Sequence, residues 1–287
     1  MSTFTSFTMS QALLEALLKI FAIVVRVDGA TDAERSKLHD ALSNVLNEKL
    51  VQQYMQFFDE EVARLDDLEG TDEDELIKEL CSSLNQELTR HQKVAILIQL
   101  CSVSMADGNI SPGEARLVDI VRNEFKVDLK DFETLKQFVI GRSPGQLDNP
   151  DILIVDDNEY STDHQFHHIQ NGPIEGQIVV LHVPFSSTYF IKNVGPTEVF
   201  VNGIALRDSH IKAFPAGSSI RGKFKAIYYS DVVSSFKDED DQLQLSMEVK
   251  NLGYTFKNGN IGLRNISFSE NSGKLMGIMG ASGAGTS

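Results

Sequence analysis

Ala106-Asp107-Gly108-Asn109-Ile110-Ser111-Pro112-Gly113-Glu114 reads as the end of one helix, a turn, and the start of the next. Gly108 supplies the left-handed conformation that stops a helix, and Ser111 caps the one that follows. Pro112 takes the first helical position and Glu114 reaches back from the third to complete a capping box. The same order stands earlier, at Val27-Asp28-Gly29-Ala30-Thr31-Asp32-Ala33-Glu34, where Gly29, Thr31 and Glu34 fill the corresponding roles with one residue fewer in the turn. Two such units predict a duplicated helical bundle.

Working outward, apolar residues recur at three- and four-residue spacing from about residue 10 to residue 140, and Pro112 is the one proline of that stretch. Leu13, Leu14, Leu17, Leu18, Phe21, Val24 and Val25 nearly encircle the first helix, which places it at the centre. Residues 94–105 form a second helix apolar all round. Amphipathic helices are expected over 32–47, 50–66, 72–88, 112–125 and 130–139, the third opened by a Thr71 cap with Asp74 three residues on. The run 12–27 contains Glu15, Lys19 and Arg26 and falls short of the roughly 20 apolar residues a bilayer crossing needs, so it reads as a buried helix. It carries no signal-peptide cleavage pattern.

This helical pattern resembles the tellurite-resistance TerB family, whose A-D-G-x-I-S-x-x-E signature the second copy matches. The resemblance implies an all-helical domain over residues 1–140 and a divalent-metal role for acidic residues, which carries over to Asp28, Glu34, Asp107 and Glu114. The residues themselves admit a second account, in which the aspartates fix the turns and the glutamates complete the caps without metal. A metal cage would require those four helix ends to converge.

The formal charge is -15, and residues 1–140 carry 25 Asp+Glu against 14 Lys+Arg. That balance excludes recognition of a nucleic-acid backbone, which needs clustered cations. Cys81 and Cys101 lie in apolar helical stretches without metal or redox spacing, which suits a reducing cytoplasm. The expected location is therefore cytoplasmic, at the inner face of the membrane in an intact relative, with no direct membrane insertion.

Pro144, Gly145 and Pro150 break the helical pattern and mark residues 141–150 as a linker. The period then changes to two. Residues 152–155, 177–183, 188–194, 198–201 and 225–229 are short Val-, Ile-, Phe- and Tyr-rich runs between turn residues, which predicts an all-β sandwich over 151–236. Asn202-Gly203 is a two-residue hairpin signal. Phe200-Val201-Asn202-Gly203-Ile204-Ala205-Leu206 followed by Pro215-Ala216-Gly217-Ser218-Ser219-Ile220-Arg221 resembles the back half of a forkhead-associated domain. No G-R turn or S-x-x-H loop accompanies it, so the resemblance implies a docking module for a protein partner rather than a phosphopeptide reader. Asp156-Asp157-Asn158-Glu159 with Asp163, His164, His167 and His168 contains Zn²⁺ ligand types, with His164 and His168 on one face if the segment is helical. A solvated connector is the competing reading.

Residues 237–246, with Asp238-Glu239-Asp240-Asp241, read as an acidic linker. Beyond it, 247–252 and 263–268 are expected as strands around a turn at Asn258-Gly259-Asn260, and Lys274-Leu275-Met276-Gly277-Ile278-Met279 as a third run entering Gly280-Ala281-Ser282-Gly283-Ala284-Gly285-Thr286-Ser287. Residues 247–287 resemble the start of an ABC transporter ATPase domain. The resemblance implies an adenine-stacking aromatic at Phe256, with Tyr254 beside it, and a phosphate loop drawing on Gly280, Ser282, Gly283, Gly285, Thr286 and Ser287. Such a loop places a lysine before its final hydroxyl to reach the β- and γ-phosphates, and Thr286 stands there instead. The family's later motifs are missing, so an ATP-binding domain truncated within its P-loop is expected, with ATP and Mg²⁺ belonging to the intact family. No cofactor is required for this chain. The partner is then the missing ATPase or transmembrane portion, and the chain is expected to be a non-catalytic regulatory or docking region. No nucleophile is paired with a base.

Overall fold

The computed structural model describes residues 11–43, 46–66, 72–106, 108–161, 163–237, 246–257, 259–271 and Gly277. They fall into two compact units, one through Phe236 and one from Lys237. Among the described residues the first unit opens with seven α-helices and continues into sheets, the α-plus-β order the change of period predicts.

The helical part is built on α1 (Gln11–Arg26), in which Ile20 through Val25 are buried without interruption. It packs against α3 (Glu48–Asp66), α4 (Glu73–Glu87) and α6 (Pro112–Glu124). The second all-round helix, α5 (Arg90–Ser104), is buried from Val94 to Ser104 and packs on α2 (Asp32–Ser43), α6 and α7 (Leu129–Ile140). Each large apolar side chain removed from water in this way contributes about 1.5–3 kcal/mol before ordering entropy is counted. The cap expected at Thr71 lies outside the described residues. The residue that caps α4 is Asp72, whose carboxylate accepts from Asp74 N and Glu75 N. Thr89 and Gln92 form a capping box for α5 that the sequence reading missed.

Strands β1 (Ile152–Asp156), β2 (His167–Gln170), β3 (Gln177–Val183), β4 (Thr188–Val194) and β7 (Ile211–Ala213) form one sheet in the order β2-β1-β3-β4-β7. A second sheet runs β6-β5-β8-β9 and is built from β5 (Val199–Val201), β6 (Ile204–Leu206), β8 (Ser219–Arg221) and β9 (Ile227–Tyr228). Leu153, Val155, Ile178, Val180 and Ile191 from the first sheet share a core with Val199, Val201, Leu206, Ile220 and Ile227 from the second. The opposite face of the five-stranded sheet, with Ile152, Ile154, Val179, Leu181 and Phe190, belongs to the same core as the helices. β1 is accordingly buried at every position, and its continuous Ile-Leu-Ile-Val run is what a sheet covered on both faces demands. Pairing is antiparallel except between β1 and β2, which run parallel. Asn202 (φ 53°) and Gly203 (φ 80°) both adopt the left-handed region between β5 and β6, as the hairpin signal required. The sheets end in a short helix, α8 (Tyr229–Ser235), over part of the run expected as strand.

Residues 141–150, expected as a linker, are exposed at most positions and anchored at Gly141 and Leu147, which are buried. Leu147 is fully buried, Gln177 Nε2 donates to Arg142 O, and a side chain at Gly141 would collide with Leu147. The segment joins two parts of one unit.

In the second unit β10 (Ser246–Thr255) and β11 (Ile261–Asn271) form an antiparallel hairpin that contains both expected strands, with Gly259 at φ 85° in the turn. The third run, 274–279, lies outside the described residues except for Gly277. No helix among the described residues is long and apolar enough to cross a membrane.

Candidate functional site

The two Asp-Gly turns make two hinges. At the first, Gly29 (φ 92°) donates from its N–H to Arg26 O at 3.0 Å. Glu34 N donates to Thr31 Oγ1 at 3.2 Å, while Glu34 Oε2 accepts from Thr31 N at 2.7 Å and from Thr31 Oγ1 at 2.8 Å. At the second, Gly108 (φ 97°) donates to Met105 O at 3.1 Å. There Glu114 N donates to Ser111 Oγ at 3.1 Å, and Ser111 N to Glu114 Oε2 at 2.9 Å. Both capping boxes therefore form as the sequence indicated.

Packing then adds what local pattern does not contain. The first turn of α6 lies on the first hinge so closely that a Cβ at Gly113 would stand 2.1 Å from Val27 Cγ1. This brings Glu114 beside Glu34, and both are buried, at 2% and 3% exposure. Each carboxyl uses Oε2 for its own cap, whereas Glu114 Oε1 is buried with no hydrogen-bond partner. The donors to the pair are neutral backbone N–H groups and one hydroxyl. Burial, then a hydrogen bond shared with the Glu34 carboxyl and the charges of Asp28 and Glu34, push the Glu114 carboxyl up to about 7 against the opposing bond from Ser111. Two buried carboxylates without a counter-charge cannot both stay ionised at low cost. The place is chemically suited to a proton or a hard cation.

Of the four acidic residues named for metal, Glu34 and Glu114 meet, Asp28 is exposed on the first hinge within electrostatic reach, and Asp107 lies outside the described residues. Among the described residues no group of three or more His, Cys, Asp or Glu is arranged to hold a metal ion. The observation that fits a cation is the donor-free Glu114 oxygen facing a second carboxyl.

The histidine-rich segment is not helical: Asp157, Asn158, Glu159, Asp163 and Gln165 are exposed in the connection between β1 and β2. His167 and His168 lie in β2, His164 stacks on Phe166 with ring centroids 3.9 Å apart, and the segment closes over Asp156. Asp156 is 1% exposed and accepts from Tyr160 Oη at 2.5 Å, from Asn158 N and Nδ2, and from His168 Nε2 at 3.0 Å. Burial alone would raise this carboxyl, but the bonds from Tyr160, Asn158 and His168 hold it below its ordinary value. Its acceptors are occupied by protein donors, so it organises the loop. In the sequence Asp156 is one member of the acidic run Asp156-Asp157-Asn158-Glu159, which gives no signal of that role.

Phe256 is exposed and meets Tyr254 edge to face, with centroids 5.0 Å apart. Gly280, Ser282, Gly283, Gly285, Thr286 and Ser287 lie outside the described residues.

Comparison with known proteins gives one match: the model of the family described as "Tellurite resistance protein TerB" covers residues 14–137. No curated protein and no solved structure matches the chain. The match supports a tellurite-resistance-like helical domain, and the forkhead-associated and ABC ATPase resemblances gain nothing from these comparisons.

Proposed function

We propose that this chain acts through its helical part as a non-catalytic, tellurite-resistance-like module that binds a divalent cation between its two hinges. The observation that carries the proposal is the buried, donor-free Oε1 of Glu114 beside the Glu34 carboxyl. Glu34 and Glu114 would hold the ion, and Asp28 and Asp107 are the remaining hinge carboxylates. Such an ion supplies positive charge where two anions are buried together, and oxygen ligands of this kind suit Ca²⁺ or Mg²⁺. A cation held there ties the α1–α2 hinge to the α5–α6 hinge and stiffens the bundle around its two central helices.

The remaining parts are proposed as docking surfaces for a protein partner. What supports an ATP-binding partner is the sequence of residues 247–287 alone. Cys81 and Cys101, free and buried, suit a reducing compartment such as the cytoplasm.

Calorimetry with Ca²⁺ and with Mg²⁺ tests the proposal. The melting temperature should rise with cation concentration, by the equivalent of about 2.7 kcal/mol at one hundred times Kd. Glu34→Gln and Glu114→Gln, which keep an acceptor for each cap, should remove the rise. No shift at millimolar cation, or a shift undiminished in both variants, overturns the reading.

A further inference from the structure

The four-stranded sheet buries one face in the core it shares with the five-stranded sheet, through Val199, Val201, Ile220 and Ile227. Alternation along the strands turns the neighbours of those residues outward: Phe200 on β5, Ala205 on β6, Arg221 on β8 and Tyr228 on β9. The register sets Ala205, Phe200 and Arg221 in one row and Tyr228 opposite Ser219 in the next. All four outward residues are exposed. Among the described residues of the first unit, the large apolar side chains left exposed are Leu129 and Ile140 on α7 and Phe200, Ile204 and Tyr228 on this one sheet. Beside Phe200 the surface holds a cavity of about 320 Å³, bounded by Pro196, Thr197, Phe200, Ala205 and Arg207 among others.

The charge of this face runs against that of the chain. Residues 198–228 carry Arg207, Lys212, Arg221, Lys223 and Lys225 against Glu198 and Asp208, in a protein of net charge -15. Asp208 is paired with Arg142, and Lys212 donates to Ala205 O. Arg207, Arg221, Lys223 and Lys225 are exposed, and among the described residues none of them has an ion-pair partner. Glu198 is the acid that remains. Cations without counter-charges next to exposed aromatic rings make a local field and an apolar contact area on one side of one sheet.

On the reading of the β part as a docking module, we infer that the outer face of the β6-β5-β8-β9 sheet binds an acidic protein segment. Arg207, Arg221, Lys223 and Lys225 meet its carboxylates, and Phe200, Tyr228 and the cavity beside Phe200 take its apolar side chains. Complementary charge selects the partner and speeds its encounter, while aromatic side chains beside a pocket supply the contact that holds it. A single-stranded nucleic acid also seeks cations and aromatic faces. Glu198, standing among these cations, opposes an unbroken line of phosphates, whereas a protein segment carries acid only where a cation faces it.

The test is fluorescence anisotropy at low salt, with the full chain titrated into a labelled peptide that alternates Glu with Leu. The same peptide with Lys in place of Glu, and a labelled single-stranded oligothymidylate, run beside it. The Glu peptide should bind and the other two should not. Arg221→Glu with Lys223→Glu should weaken that binding by about tenfold or more. Phe200→Ser should weaken it without changing its salt dependence. Lys78→Glu with Lys130→Glu makes the same change in net charge at exposed positions of the helical part and should leave binding nearly unchanged. Failure of the Glu peptide to bind, tighter binding of the oligonucleotide, or equal losses in the two double variants overturns the inference. Binding undiminished by Arg221→Glu with Lys223→Glu overturns this face and leaves docking through another surface standing. The divalent-cation melts report on Glu34 and Glu114 and should be the same in all of these variants.

Discussion

Gly113 leaves Val27 the space that a β-carbon would take: a methyl there would stand 2.1 Å from Val27 Cγ1. The absence of a side chain on the second residue of α6 lets that helix start against the end of α1. The same approach sets Glu114 beside Glu34.

Gly113→Ala should therefore destabilise the protein by about 1–3 kcal/mol, the usual cost of forcing an extra methyl into a packed contact. Val27→Ala in the same chain should recover part of the loss. Urea unfolding of the two single variants and the double variant measures the coupling. Additive effects would show that the two residues do not share this contact.

Gly29 and Gly108 carry positive φ with nothing within 4 Å of a Cβ added there, so the cost of a side chain is backbone strain alone. Gly108→Val should lose roughly 1–3 kcal/mol, and Gly108→Asn less, because Asn tolerates the left-handed region. Equal stability for the two variants would count against a φ-based cost.

The Glu114 carboxyl, raised to about 7, keeps its proton in the folded protein after the unfolded chain has lost it. The folded state thus binds more protons between an ordinary glutamate value of roughly 4.3 and about 7, and stability should fall as pH rises through that window. The loss should approach roughly 2–3 kcal/mol. Glu114→Gln should flatten the profile while keeping the cap, and thermal melts at about pH 5 and about pH 8 compare the two chains. A variant with the same slope as the native chain would assign the slope elsewhere.

Asp156 works in the opposite sense. Its carboxyl is held below the ordinary value, so its contribution is present above the unfolded value and lost as pH falls through the folded one. Asp156→Ala strands the donors of His168, Tyr160 and Asn158 and should cost roughly 2–4 kcal/mol. Proteolysis within residues 157–166 should accelerate with it, and unchanged cleavage would show that the loop is held by other contacts.

Features whose cause is local were legible in the chain. Gly29 and Gly108 turn the chain out of its helices by adopting positive φ, Thr31–Glu34 and Ser111–Glu114 lie within one helical turn, and Asn202-Gly203 sets its hairpin by φ alone. Residues 177–183 and 188–194 form strands at the expected bounds because an apolar run between turn residues leaves few other ways to bury itself. What depends on burial between distant segments was not legible. Periodicity records that a face is apolar and not which face covers it, so the sheet held between helices and a second sheet, and the burial of Leu147 between them in sequence, emerged only from the assembled core. His167 and His168 pair with β1 through backbone bonds that their side chains do not announce. Glu34 and Glu114 were each legible as caps. Their shared environment, each carboxyl buried beside the other, was decided by tertiary packing, because electrostatic cost depends on distance and burial that spacing in the chain does not encode.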